Sequence, residues 1–435
     1  MLATPELIRE AGQIPLLAER LPRWRAVPLY RDLLASLENH PVEADVFTSF
    51  RRLPLLVKPG IRDGFPRNFL TAGETLETLL EKRLVELEHT SGTSAERLPV
   101  IFGQGWWNAQ EERALRLNPF VAGVLDEHPN ARRATLVPPA CNGLTCPTVW
   151  MSREQRTVGS TLFLNLARIP FLLDGRELAR MAGEIVEWSP QFLDLDPVHG
   201  ARLALYCEQH GLRFPSLRFA LCSYEFVSAV HRRIIGRAFG VPVFNLYGST
   251  ETGHLLMENE RGEMKPGYDT AFLEIVGADP GGVGDLVVTT LTNDYMPLLR
   301  YRIGDLAERC EQPYGTNFVI HGRARDALRA GDGRRVTTWQ VDQCFKELPG
   351  IIHYELRQNE NGGYVLRFVL DGAGPTEAEL HRVTSRLETL LASRGEIATA
   401  AMPVLLPTPS GKFRLTCPAA ATNSPIESRI FGRPS

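Results

Sequence analysis

The sequence lacks the features that mark secreted, membrane-spanning or nucleic-acid-binding chains. Its 435 residues carry a formal net charge of only −3, so no basic excess favours a nucleic-acid partner. No charged and then apolar leader opens the sequence, and no apolar run is long enough to cross a bilayer. The seven cysteines are odd in number and scattered, without the close pairs of a metal or redox motif. These absences predict a reduced, cytoplasmic protein without a nucleic-acid partner or a membrane span.

Length and patterning predict more than one folded domain. A chain of 435 residues exceeds what a single hydrophobic core usually spans. Between about residues 100 and 240, apolar runs at 134–137 and 218–222 alternate with helical patterns at 176–188 and 227–239. This alternation predicts an α/β domain with parallel strands.

Beyond residue 270 the pattern changes. The β-rich segments 272–276 and 284–291 are separated by a glycine turn, which predicts a hairpin or a small β-barrel. From residue 322 onward, a helix, two strands and a helix predict a small α+β domain. One further helix is predicted over residues 74–88. Residues 418–435 are rich in proline, serine and alanine and are predicted to be disordered.

A tight loop after an apolar run holds the densest set of reactive and binding side chains. Tyr247, Gly248, Ser249, Thr250 and Glu251 combine an aromatic ring, two hydroxyls and a carboxylate. Such a set can stack on a base, hydrogen-bond a phosphate and hold a divalent cation. Taken alone, the loop is also consistent with a polar turn of no function.

A second polar loop precedes it in the chain. Ser91, Gly92, Thr93 and Ser94 can present hydroxyl and backbone N–H donors to an anion such as phosphate. No Gly-Lys-Ser/Thr follows, so a P-loop fold is not implied. The alternative for this loop is a solvated surface turn.

Three further places in the chain carry polar chemistry. Ser223, Tyr224 and Glu225 close a predicted strand, where α/β sheets tend to bind ligands. Asp305 follows a glycine, and an acidic residue there can accept both hydroxyls of a ribose or simply form a turn. Lys412 follows a glycine turn, from which its ammonium can swing a point charge into a site.

These motifs occur in an order that resembles the adenylate-forming superfamily. They lie at 91–94, 247–251, 300–305, 322–326 and 410–414. The chain is most similar to the shorter phenylacetate–CoA ligase-like (CapK-like) branch, from about residue 15 to residue 416. The resemblance implies a large α/β N-terminal domain, residues 1–321, with parallel or mixed sheets and a small β-subdomain. It also implies a smaller α+β C-terminal lid domain, residues 322–417.

The resemblance implies an activity as well as a fold. Members of the family use ATP and Mg²⁺ to join a carboxylic acid to AMP with release of pyrophosphate. The acyl group then passes to the thiol of coenzyme A or of a carrier-protein phosphopantetheine. Family analogy favours an aryl acid, and an acyl carrier protein and a second copy in a homodimer are further candidate partners. The alternatives are an adenylating enzyme with a non-thiol acceptor and a non-catalytic nucleotide-binding protein.

Family roles carry over to the matching positions of this chain. Loop 91–94 would hold the β- and γ-phosphates, Thr250 would bond the α-phosphate and Glu251 would hold Mg²⁺. Lys412 would be the catalytic lysine of the lid. The nucleotide-binding positions implied by the resemblance are Ser223, Tyr224 and Glu225 at the adenine, Tyr247 packed on the nucleotide or acid, Gly248 and Ser249 beside it, and Asp305 and Arg323 at the ribose.

The chain departs from the family pattern at several positions. Ala95 stands where the phosphate loop usually has a second glycine, and Arg97 stands where a lysine is common. Ile303 replaces the usual threonine, and Arg325 occupies a hinge position that is often aspartate. Only Cys310 lies where some relatives have a cysteine cluster, so no structural zinc is expected. These changes predict a divergent subfamily.

Overall fold

The chain folds into two compact units, each built from two segments of sequence. The computed structural model describes residues 10–35, 50–71, 73–90, 97–137, 151–164, 169–313 and 315–419. The first unit comprises Met1–Ala122 and Leu246–Ile320, and the second comprises Gly123–Asn245 and His321–Ser435. The predicted phosphate loop 91–94, together with Ala95, and residues 420–435 of the predicted tail lie outside the described ranges.

Helices and strands are interspersed along the chain. In chain order, the α-helices are α1 Glu10–Ala26, α2 Arg31–Ala35, α3 Lys58–Arg62, α4 Leu76–Glu81, α5 Trp106–Leu115, α6 Pro119–Glu127, α7 Gly175–Trp188, α8 Pro197–Gln209, α9 Ala229–Phe239, α10 Thr338–Gln343 and α11 Glu377–Leu391. The strands are β1 Val85–His89, β2 Pro99–Gly103, β3 Arg133–Leu136, β4 Thr157–Val158, β5 Thr161–Phe163, β6 Phe192–Leu195, β7 Phe219–Cys222, β8 Val243–Ser249, β9 Gly253–Glu258, β10 Met264–Pro266, β11 Ala271–Val276, β12 Val283–Thr290, β13 Tyr301–Gln312, β14 Gly315–Arg323, β15 Leu328–Arg329, β16 Arg335–Val336, β17 Ile351–Gln358, β18 Tyr364–Leu370, β19 Ala398–Ala401 and β20 Thr416–Cys417. Within the described ranges, no helix has both the length and the apolarity needed to cross a membrane.

Parallel strands form the centre of the second unit. Strand β3 pairs with β5 and β6, β6 pairs with β7, and β7 pairs with the first residues of β8, all in parallel. Every residue of β6 and of β7 is buried, as expected for a parallel strand that is covered on both faces. The α/β alternation predicted from the sequence is therefore confirmed.

Amphipathic helices cover this sheet. Helix α7 begins at the N-cap Asp174, whose side chain accepts a hydrogen bond from the Glu177 N–H. Its buried side chains repeat at helical spacing and belong to the hydrophobic core of the second unit: Leu178, Met181, Ala182 and Ile185. Because this spacing places them on one face, the helix packs that face inward and leaves Arg176 and Glu187 exposed on the other side.

The C-terminal segment of the second unit forms a smaller α+β structure. Strands β17 and β18 pair antiparallel, while β19 joins β18 and β20 joins β17 in parallel. Helices α10 and α11 precede and follow the β17–β18 pair, as the helix–strand–strand–helix pattern predicted. Asp342 of α10 accepts a hydrogen bond at 2.9 Å from the Ala229 N–H, the first residue of α9.

Antiparallel strands dominate the later part of the first unit. Strand β11 pairs with β12, and β12 pairs with β13, which confirms the predicted hairpin. The last residues of β8 pair with β9, and β10 pairs with both β9 and β14. Tyr301 and Phe272 are among the largest fully buried side chains of this unit's core.

The prediction of a single helix over residues 74–88 is wrong in its second half. Helix α4 ends at Glu81, and Val85–His89 form β1, paired antiparallel with β2. Arg83 has a φ of 53°, a left-handed conformation in which a helix cannot continue. The apolar–acidic alternation of β1 has the period of a strand, and β2 supplies the hydrogen-bonding partner.

Truncation of a central strand residue should destabilise the second unit. Leu193 of β6 is fully buried, so Leu193→Ala should lower the free energy of unfolding by about 2–5 kcal/mol. Leu172, which is 60% exposed, provides the matched control, and Leu172→Ala should change it by less than about 0.5 kcal/mol. Urea denaturation followed by circular dichroism measures both variants. Equal effects of the two substitutions would contradict this account of the core.

Candidate active site

Polar side chains gather where the parallel strands β6 and β7 end. Parallel pairing places the carboxyl ends of these strands at the same edge of the sheet. The Ser223 hydroxyl donates to Asp194 Oδ1 at 3.0 Å, and the Tyr224 hydroxyl donates to Asp194 Oδ2 at 2.8 Å. Asp194 was not predicted from the sequence, although an acidic residue inside an otherwise apolar strand is a recognisable signal. It anchors two residues of the predicted adenine segment.

The backbone of Tyr224 has an unusual conformation. Its φ is 73°, in the left-handed region that non-glycine residues enter only at a cost of about 1–3 kcal/mol. The hydrogen bond of its side chain to Asp194 and the one that its carbonyl accepts from Lys412 both hold this conformation. Such strained residues cluster at functional sites, and this one closes the strand where the sequence predicts adenine binding.

The predicted lid lysine contacts this same segment. Lys412 Nζ donates to the Tyr224 carbonyl oxygen at 2.6 Å, and the Phe413 N–H donates to Glu225 Oε2 at 2.7 Å. The turn that carries the lysine is closed by the Thr408 N–H, which donates to the Lys412 carbonyl at 2.7 Å. The structure therefore brings together Tyr224, Glu225 and Lys412, which are far apart in sequence.

The predicted ribose residue Arg323 ends β14 in the second unit and precedes a 3₁₀ turn, Ala324–Asp326. Gly322 just before it has a φ of 92°, and a Cβ there would lie only 2.9 Å from Thr338 Cβ. Glycine is therefore required at this position. Asp326 Oδ1 forms an ion pair at 3.3 Å with Arg414 Nε, which joins this turn to the segment after Lys412.

In the first unit, two predicted carboxylates are each paired with a tyrosine. The Tyr247 hydroxyl donates to Asp305 Oδ2 at 2.7 Å, and the Tyr301 hydroxyl donates to Glu251 Oε1 at 2.9 Å. Asp305 is 6% exposed and Glu251 is 4% exposed. Because a buried carboxylate is costly without donors, these tyrosines fix where the two negative charges lie. Tyr301 was not among the residues predicted from the sequence.

A tight turn connects β8 to β9 and contains Thr250 and Glu251. The Ser249 and Thr252 hydroxyl oxygens are 2.9 Å apart, and the Thr252 N–H donates to Ser249 Oγ at 3.3 Å. Thr250 lies half-buried within this turn. At Gly248 a Cβ would lie 2.3 Å from the Gly253 carbonyl oxygen, so no side chain fits there. Glycine thus permits the close approach of β9 to β8 just before the turn.

The carboxyl group of Glu251 could hold a magnesium ion that is brought in by a nucleotide. Within the described part of the chain, no group of three or more His, Cys, Asp or Glu side chains is arranged to hold a metal. Mg²⁺ is usually bound through one or two carboxylates together with substrate phosphates and water. A single fixed carboxylate at Glu251 fits that mode of binding.

The known proteins that are similar to this chain include CoA ligases. No protein-family model matches the chain. The chain is 26% identical over 369 residues to the phenylacetate–coenzyme A ligase of Thermus thermophilus, covering 79% of this chain and 78% of the relative. It is 24% identical over 225 residues to the protein CapK of Staphylococcus aureus, covering 49% of each.

Solved structures share the fold. A 2-hydroxyisobutyryl-CoA ligase in the postadenylation state superimposes with a TM-score of 0.68 at 17% identity, covering 94% of this chain and 90% of that one. An anthranilate–CoA ligase bound to anthranoyl-AMP gives a TM-score of 0.54 at 14% identity, covering 95% and 80%. The chain is thus similar to the phenylacetate–CoA ligase-like (CapK-like) branch of the adenylate-forming superfamily, which confirms the resemblance predicted from its motifs.

Proposed function

We propose that this chain is an AMP-forming acid–thiol ligase that activates a carboxylic acid with ATP and transfers the acyl group to coenzyme A. The observation that carries the proposal is the contact of Lys412 Nζ with the Tyr224 carbonyl, because it seats the predicted lid lysine beside the predicted adenine segment. The relatives of similar length are named as CoA ligases, which supports the same class of reaction.

The first step is attack of a carboxylate oxygen of the acid on the α-phosphorus of ATP. A new P–O bond forms, the bond from the α-phosphorus to the bridging oxygen breaks, and pyrophosphate leaves. Negative charge accumulates on the phosphoryl oxygens, so a fixed cation lowers the barrier where that charge develops. Lys412 would supply such a cation, and Thr250 would hydrogen-bond the α-phosphate. Glu251 would hold Mg²⁺, which when bound neutralises phosphate charge.

The remaining predicted residues would bind the nucleotide. Asp305, oriented by Tyr247, would accept hydrogen bonds from the ribose hydroxyls, with Arg323 beside the ribose. The segment 223–225 would contact adenine, and loop 91–94 would hold the outer phosphates. In the second step a thiolate would attack the acyl carbonyl carbon, and AMP would leave with the electron pair of the broken bond.

Finer features of the proposal rest on family analogy. We propose an aryl acid as substrate, coenzyme A before phosphopantetheine as the acceptor, and residues 322–417 as a lid domain. The presence of a four-stranded sheet of its own, β19–β18–β17–β20, within that segment supports the last of these proposals. A homodimer and a carrier-protein partner are further proposals of the same kind.

Pyrophosphate release tests the activation step directly. The protein is incubated with ATP, Mg²⁺ and a panel of aryl and aliphatic acids, in the absence of any acceptor. Release with one class of acid would establish adenylation and identify the substrate class. Detectable ATP binding without release across a broad panel would instead favour a non-catalytic nucleotide-binding protein.

Loss of the lid lysine should abolish activation without unfolding the chain. Lys412→Ala should lower the rate of acid-dependent pyrophosphate release by roughly 10²–10³-fold, because one transition-state cation is removed. The exposed Lys346 provides the control, and Lys346→Ala should release pyrophosphate at the unaltered rate. Circular dichroism checks the fold of both variants. An unchanged rate in Lys412→Ala would refute the assigned role.

Loss of the tyrosine hydroxyl that orients Asp305 should lower kcat/KM for ATP. Tyr247→Phe removes one hydrogen bond to a buried carboxylate, worth about 1.5–3 kcal/mol. We therefore expect kcat/KM for ATP to fall by about tenfold to a hundredfold. In Tyr364→Phe, a hydrogen bond of the same length to the Arg329 carbonyl is removed, and kcat/KM should stay unchanged. Equal kinetic effects of both substitutions would contradict the role of Tyr247.

A further inference from the structure

The residue that follows the predicted lid lysine has a buried aromatic side chain. Phe413 is 9% exposed, whereas the Lys412 side chain before it is half-buried and reaches the Tyr224 carbonyl. The backbone N–H of Phe413 donates to Glu225 Oε2 at 2.7 Å. Burial of the ring removes apolar surface from water, so it favours one position of the turn that carries both residues.

Three rings from distant parts of the chain contact Phe413, and we call them the aromatic socket. They are Phe171 of the 3₁₀ turn Pro170–Leu172, His199 of α8 and His353 of β17. The centroid of the Phe413 ring lies 5.2 Å from that of His353, 5.6 Å from that of Phe171 and 6.4 Å from that of His199. All three interplanar angles lie between 69° and 78°, which is the edge-to-face geometry that aromatic pairs favour.

Hydrogen bonds fix the orientation of two rings of the socket. His353 Nδ1 lies 3.0 Å from His231 Nε2, and His199 Nδ1 lies 2.9 Å from Asp196 Oδ1. All four side chains are buried, and Asp196 is itself the N-cap of α8. Because a buried polar ring that turns away from its partner leaves both groups unsatisfied, these two histidines form fixed walls around Phe413.

We propose that Phe413 is a positioning residue for Lys412, acting through the insertion of its ring into the aromatic socket. Because the two residues are adjacent, the seated ring limits where the lysine backbone can lie, and Lys412 Nζ then reaches the Tyr224 carbonyl oxygen at 2.6 Å. The resemblance implies a role for Lys412 but none for Phe413 or the aromatic socket. The kinetic consequence rests on the proposed adenylation, whereas the position of the lysine does not.

Three substitutions separate the ring contact from general loss of packing. Phe413→Leu keeps an apolar side chain and the N–H that donates to Glu225, but it removes the ring. Phe171→Leu removes one wall of the socket at a site distant in sequence. Phe239→Leu is the matched control, because Phe239 is 8% exposed, lies in the same unit and contacts Phe214 edge-to-face with ring centroids also 5.6 Å apart.

Chemical labelling of lysine amines tests the position of Lys412 without any substrate. The full chain is treated with a trace of acetic anhydride, and mass spectrometry compares Lys412 with the exposed Lys346. An amine that donates to a carbonyl is less reactive, so Phe413→Leu and Phe171→Leu should raise the relative labelling of Lys412 by about threefold to tenfold. Phe239→Leu should leave it unchanged. Equal labelling in Phe413→Leu and the unmodified protein would overturn the proposal, and so would an equal rise in Phe239→Leu.

A double variant tests whether the ring and the socket act together. If Phe171 acts through the ring of Phe413, the variant that carries both substitutions should label Lys412 no faster than Phe413→Leu alone, because the contact is already lost. Fold-increases that multiply in the double variant would show two independent effects. That result would overturn the socket as the means by which Phe413 positions the lysine.

Pyrophosphate release tests the kinetic consequence. In Phe413→Leu, kcat should fall by roughly tenfold to a hundredfold while KM for ATP changes little, because a displaced cation is lost from the transition state. Phe239→Leu should release pyrophosphate at the unmodified rate. An unaltered kcat in Phe413→Leu, with faster labelling of Lys412, would overturn the kinetic role. If no acid supports release but labelling follows the expected pattern, the proposed function fails and the positioning of Lys412 stands.

Discussion

Parallel pairing of β6 with β7 is the constraint on which the candidate site of the second unit depends. Their shared register sets Asp194 of β6 beside the Ser223–Glu225 segment that follows β7. Asp194 could not be buried there alone, because an isolated carboxylate in an apolar interior is strongly destabilising. The hydroxyls of Ser223 and Tyr224 supply the donors that stabilise it.

In the first unit, tyrosine hydroxyls stabilise the buried carboxyl groups. Glu251 and Asp305 are almost completely buried, and each accepts a hydrogen bond from a phenolic hydroxyl. A phenol donates this bond without bringing a competing positive charge to the carboxyl group. Carboxyl groups that are fixed in this way are already oriented before a ligand binds, so binding requires no reorganisation of them.

The sequence predicted those features that depend on local patterns of residues. Strand and helix periodicity predicted the parallel α/β sheet and the α+β segment, and the ordered motifs predicted the resemblance that the comparisons confirm. The sequence did not reveal Asp194 or Tyr301, because their hydrogen-bond partners are distant in sequence and not adjacent residues. The helix expected over 74–88 failed for a similar reason, since pairing with the distant β2 decides the conformation of β1. Loop 91–94 remains a prediction.

The ion pair between Asp326 and Arg414 links two segments of the second unit that are distant in sequence. It joins the turn after β14 to the segment that follows Lys412, and Gly322 of β14, just before that turn, lies against Thr338. The turn and the segment after Lys412 are therefore tied together by a half-buried ion pair, so a displacement of one would strain the other. Arg325 precedes Asp326 directly in that turn and therefore lies next to the ion pair.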